Sequence, residues 1–147
     1  MPNKHNKKHT ICHALNELKT MQDLLTESSY KYLGKMLSDL VGADTIPFIM
    51  YTNDGLFNRI GRETTTNDET FVTNYFRIES INKESGRATI SLLRPFDIHG
   101  KNTLSIDELI VLKKTSSSMS IDLSHINGIQ PLDIDYMKRK NIIEQKW

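Results

Sequence analysis

The residues equipped for chemistry fall into a few small groups. His5, His9 and His13 recur every fourth residue with Cys12 beside them, and on a helix His9 and His13 share a face from which two imidazoles can bind one zinc ion. No second cysteine pair or matching carboxylate follows, so a basic arm that carries histidines is the plainer account. No metal is expected, and His9, Cys12 and His13 remain weak candidates. Asp122, Ser124 and His125 are the residue types of a nucleophilic triad. In a strand, however, neighbouring side chains point to opposite faces, and no Gly-x-Ser-x-Gly elbow is present. The pairs Asp107–Glu108 and Asp133–Asp135 have the groups for acid–base catalysis, but acidic residues of turns and outer strand faces are mostly solvated surface. Asn53-Asp54-Gly55 and Gly61 lack the spacing of a phosphate-binding loop. Lys4, Lys7 and Lys8, and the cluster Lys138-Arg139-Lys140, carry charge without interleaved aromatics, which argues against nucleic acid. The expectation is a chain with neither catalysis nor a cofactor.

The elements that must position these groups come from one domain's length of chain, 147 residues. Its 19 basic and 18 acidic side chains leave a net charge of +1, which gives no field for polyanions and little repulsion between copies. No run approaches the roughly 20 apolar residues of a membrane span, and the basic N-terminus is not followed by the apolar core of a secretory signal. Cys12 is the single cysteine, so a disulfide could only be intermolecular, and Cys12 is the candidate for such a cross-link.

Residues 1–9 read as a flexible basic arm, and residues 10–42 as a helical region packing on the body. Thr10 is the expected N-cap of a helix whose inner face takes Ile11, Leu15, Leu18, Met21 or Gln22, and Leu25. Tyr32, Leu33, Met36, Leu37 and Leu40 form a second stripe, ended by Gly42. Residues 43–134 read as a β-sandwich or barrel-like body, and 135–147 as a basic tail or docking helix. Within the body, Pro47 opens a strand over Phe48–Thr52, stopped by Asn53-Asp54-Gly55. Residues 62–70 read as an exposed loop and Phe71–Glu79 as one strand. A turn at Asn82–Gly86 pairs it with Ala88–Leu92, and Arg94-Pro95-Phe96 turns the chain out of that strand. Further strands are expected at Leu109–Leu112, at Met119–Leu123 and around Pro131. Arg94 is expected to pair with Asp97 or Asp44.

Asp44-Thr45-Ile46-Pro47-Phe48-Ile49-Met50-Tyr51-Thr52 resembles the "DTIPFILYT" stretch of the CotY/CotZ/ExsY family of spore coat proteins. Further likenesses follow in order. Phe76-Arg77-Ile78-Glu79 is similar to "FRVE", and the run from Ala88 to Asp97 to "ATLRLLRPFD". Ser120-Ile121-Asp122-Leu123 is similar to "TVDL", and Gly128-Ile129-Gln130-Pro131-Leu132 stands where "AIQCL" would. The resemblance spans about residues 43 to 133. It implies a self-assembling building block of the outermost endospore layer (coat, crust or exosporium), made in the mother-cell cytoplasm. Its partners would be copies of itself and other coat proteins, not nucleic acid or membrane. Relatives of this kind are hardened by cysteine cross-links, yet His125, Asn127 and Pro131 occupy positions where cysteines would be expected. A non-covalent lattice former and an adaptor both fit that departure. The alternative is a ligand- or glycan-binding β module that grips through Tyr51, Phe57, Arg59 and Tyr75, and a third is an enzyme that uses His125 or the N-terminal histidines His9 and His13.

Overall fold

A computed structural model describes residues 4–25, 44–63 and 68–132. Helix α1 runs Lys4–Leu24. Eight strands follow: β1 Phe48–Thr52, β2 Gly55–Leu56, β3 Arg59–Glu63, β4 Glu69–Thr73, β5 Phe76–Asn82, β6 Arg87–Phe96, β7 Val111–Asp122 and β8 Gly128–Pro131. The protein is mainly β. Its main antiparallel sheet has the order β8-β1-β5-β6-β7, with β2 folding back on the end of β1, and it curls into half a barrel. The β3–β4 hairpin forms a separate two-stranded sheet that packs against β6 and β7.

α1 begins at Lys4, inside the segment expected to be an arm, so Thr10 is not its N-cap. No glycine or proline separates Lys4 from Thr10, so nothing in that stretch breaks the helix. Ile11, Leu15, Leu18, Gln22 and Leu25 are buried at steps of four and three, and the helix lies over β5, β8 and the short 3₁₀ turn Leu123–His125. Met21 points to solvent, so Gln22 holds the inner position that the spacing leaves open between the two. Its amide links the helix to the sheet: Nε2 donates to the Ile78 carbonyl at 3.0 Å, and Oε1 accepts from the Ile46 N–H at 3.1 Å. The stripe from Tyr32 to Leu40 lies outside the described residues, as do residues 133–147.

The core is continuous from the helix to the sheet. Phe48, Phe76, Ile78, Ile90, Leu93 and Leu123 are almost fully enclosed, and the Phe76 ring meets those of Phe48 and Phe57. The β1–β2 turn over Asn53-Asp54 and the β5–β6 hairpin form as expected, with Phe76 and Ile78 inward and Arg77 and Glu79 half-exposed. Pro47 precedes β1, and its carbonyl accepts from the Leu132 N–H beside β8, the expected last edge strand.

Several strand boundaries differ from the sequence expectation, each for a local reason. Phe71–Glu79 is not one strand. The Thr73 hydroxyl accepts from the Tyr75 N–H and donates to the Leu93 carbonyl, and this turn separates β4 from β5. Arg62, Glu63, Glu69 and Thr70 belong to the paired strands β3 and β4 rather than to a loop. Within that hairpin Gly61 faces Phe71, and a Cβ there would lie 2.3 Å from the ring, so glycine lets the strands approach. Arg94-Pro95-Phe96 continues β6 instead of leaving it, with Pro95 opposite Leu112. Pro95 offers its carbonyl to the Thr103 N–H, a contact that asks no donor of proline. The strands expected at Leu109–Leu112 and Met119–Leu123 are joined: Leu109 and Ile110 precede β7 and Leu123 follows it, while Val111–Asp122 runs unbroken through Ser116-Ser117-Ser118. A bulge between Ser91 and Leu93 absorbs its extra length, and Thr115 donates to the Leu92 carbonyl there.

Candidate functional site

The candidate triad residues sit on the rim of a polar cleft. Asp122 ends β7 and caps the 3₁₀ turn, its Oδ1 accepting from the Ser124 N–H at 3.0 Å. His125 Nε2 lies 3.9 Å from Asp122 Oδ2, and its ring is largely in water. The expected divergence of Ser124 and His125 rested on a strand that is not there, because the chain turns at Leu123. No hydrogen bond from Ser124 Oγ to His125 is seen among the described residues, so the geometry is a cap and not a relay.

The cleft itself holds about 720 Å³, at the seam where the half-barrel stays open. β3 approaches β7 there, bridged by the Ser117 hydroxyl, which accepts from the Arg62 N–H at 3.3 Å, and by the Lys113–Glu63 ion pair at 3.2 Å. Beyond these contacts the strands part. The gap is lined by Phe57, Arg59, Arg87, Met119, Asp122 and His125, among others. The Arg59 guanidinium stacks on Phe57 at 4.2 Å, and Arg87 donates to the Ser120 side chain and carbonyl.

Tyr51, Phe57, Arg59 and Tyr75, expected to grip one ligand, are divided between two places. Phe57 and Arg59 face the cleft, while Tyr51 and Tyr75 line a second depression of about 480 Å³. Tyr75 is buried, and its hydroxyl donates to the Leu104 carbonyl at 3.1 Å. Burial pushes that hydroxyl up to about 12, so it stays a donor at neutral pH. Asn74 also lines this depression, and its Oδ1 is buried without a hydrogen-bond partner.

Exposed large apolar side chains surround the second depression. Ile60 and Val72, neighbours across the β3–β4 hairpin, are 72% and 42% exposed. They flank a shallow third depression with Leu104, which also lines the second one beside Ile106, Tyr51 and Leu56. A connected band of exposed large apolar side chains thus crosses this side of the molecule, and bands of this kind mark interaction surfaces. Single-residue hydropathy could not find it, because its members come from four separate stretches of chain.

Beneath the hairpin lies Arg94, which pairs with neither Asp97 nor Asp44. It binds Glu63 and, at 2.8 Å, Glu69, and its Nε donates to Asn102 at 3.0 Å. Its guanidinium lies over the rings of Phe71 and Phe96. Burial alone would raise the Glu63 carboxyl. The hydrogen bonds and charges of Arg94 and Lys113 outweigh that and hold it below the usual carboxylate range. Asp44 is instead held down chiefly by a hydrogen bond from Lys114, with Thr45 and Arg77 adding to it against the effect of burial. Arg77 also reaches the Thr45 hydroxyl at 2.9 Å and pairs with Glu79. Residues of the Asp44–Thr52 and Phe76–Glu79 motifs therefore hold one another in place in the fold.

Cys12 is buried on the inner face of α1, whereas His13 is exposed and lies 3.2 Å from Glu17. The helix aims these two neighbours apart, so they do not converge on one ion. The described residues contain no cluster of three or more groups able to hold a metal. Asp107 is exposed, and Glu108 accepts from the Thr103 hydroxyl at 3.1 Å. Asp133, Asp135 and Lys138–Lys140 lie outside the described residues. No helix among the described residues is long and apolar enough to cross a membrane. No protein-family model matches the chain, and neither a curated protein nor a solved structure does so.

Proposed function

We propose that this chain is a non-catalytic assembly subunit or adaptor of the endospore outer layer, joining copies of itself and other coat proteins by surface contacts. The observation that carries this reading is the band of exposed apolar side chains running from Ile60 and Val72 through Leu104 to Ile106 and Tyr51. The ordered motif resemblance supplies the setting. A net charge of +1 adds little repulsion between neighbours, and the apolar band supplies the drive for association.

The test is the mass distribution of the purified protein by light scattering across micromolar to millimolar concentration, with and without reductant. Oligomers are expected in both conditions, because Cys12 faces the core and not a neighbour. A monomer throughout, with no coat protein bound, overturns the reading. Oligomers that vanish on reduction would assign the linkage to Cys12 instead.

A second reading, a ligand- or glycan-binding module, is favoured by one feature, the polar cleft with Arg59 stacked on Phe57 and Arg87 opposite. Binding to the folded state alone raises stability by RT ln(1 + [L]/Kd), about 2.7 kcal/mol at a hundredfold excess over Kd. A soluble spore-surface glycan that binds there should raise the melting temperature of the wild type and not of an Arg59→Ala variant. No shift in either removes this alternative.

A further inference from the structure

We propose that the polar cleft between β3 and β7 binds a sugar acid, a saccharide with a carboxylate among its hydroxyls, through the guanidinium groups of Arg59 and Arg87. This rests on the glycan-binding reading of the cleft and names the class of ligand it takes.

The two cations are unspent. Among the described arginines, Arg62 lies 3.0 Å from Asp68, Arg77 pairs with Asp44 and Glu79, and Arg94 pairs with Glu63 and Glu69. Arg59 and Arg87 meet no carboxylate among the described residues, and both line the cleft. Each is nonetheless held. Arg59 stacks on Phe57 at 4.2 Å, and its Nη1 donates to the Asn58 carbonyl at 3.0 Å. That leaves the Nε–Nη2 edge, a fork that fits both oxygens of a carboxylate, without a partner among the described residues. Arg87 is steadied by Ser120, whose hydroxyl accepts from Nε at 3.0 Å and whose carbonyl accepts from Nη2 at 3.4 Å. Cations fixed before a ligand arrives lose little freedom when it binds.

Two aspartates also line the cleft, and they limit the charge of the ligand. Asp122 Oδ1 accepts from the Ser124 N–H, and its Oδ2 lies 3.9 Å from His125, so this carboxylate serves its own turn. Asp54 stands exposed in the β1–β2 turn. Two arginines set against two aspartates make no field for a phosphate or a polyanion. They suit a ligand with one carboxylate for the arginines and hydroxyls that donate to carboxylate and amide oxygens. Asn58 and Ser124 add neutral polar groups to the lining, and the half-buried Met119 offers apolar surface to the C–H groups of a sugar ring. The volume of about 720 Å³ is that of a small-molecule site.

The test is calorimetric titration of the full chain, at low ionic strength, with two probes. One is an aldobiouronic acid, a uronic acid joined to one neutral sugar, and the other is its methyl ester, which keeps the hydroxyls and loses the charge. Wild type should bind the acid at least about tenfold more tightly than the ester, the size expected for a charge-assisted contact. Arg59→Ala and Arg87→Ala should each weaken the acid at least about tenfold and leave the ester nearly unchanged. Arg62→Ala removes the same charge from outside the cleft lining and should bind as wild type does. All three arginines are exposed, and an unchanged melting temperature without ligand establishes that each variant folds. An ester bound as tightly as the acid, or Arg62→Ala as damaging as Arg59→Ala, overturns the acidic preference and leaves a glycan site in place. An acid that wild type does not bind also overturns this inference, and a neutral spore-surface glycan that still raises the melting temperature keeps the broader reading.

Discussion

Replacing Arg94 with alanine is expected to destabilise the protein by about 3 kcal/mol, the low end of the range for breaking a buried ion pair from one side. Arg94 is itself buried and holds two carboxylates. Glu63 is nearly enclosed and would keep only Lys113 at 3.2 Å, while the half-exposed Glu69 would recover water. The Phe71 and Phe96 rings would also lose the guanidinium that lies over them. Urea denaturation followed by circular dichroism reads the loss. A difference below about 1 kcal/mol would place Arg94 with ordinary surface ion pairs.

The same cluster sets a pH dependence with a definite sign. The folded-state carboxyl of Glu63 lies below its ordinary value of 4.5, so its contribution is complete above that pH. It is lost as the pH falls through the lowered folded value. The gap between wild type and Arg94→Ala should therefore narrow in acid, as Glu63 takes up a proton and Arg94 loses that partner.

The second large effect is expected at Gln22. Gln22→Leu keeps a side chain of similar bulk against the sheet but strips the Ile78 carbonyl and the Ile46 N–H of their partners. Two buried backbone groups left without partners cost about 1–3 kcal/mol each, and the added apolar burial offsets only part of that. A net loss of about 2–4 kcal/mol follows. Gln22→Glu should be damaging too, because the Ile78 carbonyl would then face a carboxylate that cannot donate at neutral pH. A Gln22→Leu variant as stable as wild type would show that the helix docks on apolar contact alone.

What the sequence disclosed follows a physical division. Strand alternation over Phe76–Glu79 and Ala88–Leu92 and the turns at Asn53-Asp54 and Asn82–Gly86 are local signals, and all stand as expected. Local signals fail where a distant partner decides. Ser116-Ser117-Ser118 reads as a break, yet pairing with β6 carries β7 straight through it. Arg94-Pro95 reads as an exit, yet β7 on one side and the Thr103 amide on the other keep it in the sheet. Gln22 could not be told from Met21 by spacing, since its inward place is fixed by a carbonyl 56 residues away. The pairing of Arg94 with Glu63 and Glu69 needed the β3–β4 hairpin, which their polar sequence concealed. The apolar band and the two main depressions are assembled from separate stretches, so no window of sequence contains them.

The pairing of β8 with β1 bears on the order in which the chain acquires its shape. The ladders β1–β2, β3–β4, β5–β6 and β6–β7 join neighbours in sequence, whereas Phe48 meets Pro131 across almost the whole body. Closing so long a loop is entropically slow and is rewarded only once the intervening strands have condensed. The β5–β6–β7 meander is thus the natural nucleus, and β8 the last strand to arrive and the first to leave. Pro131, Gln130 and Leu132 also line the depression beside Tyr75. That depression is complete only when folding has finished, so an immature chain lacks part of the apolar surface on which the proposed assembly rests.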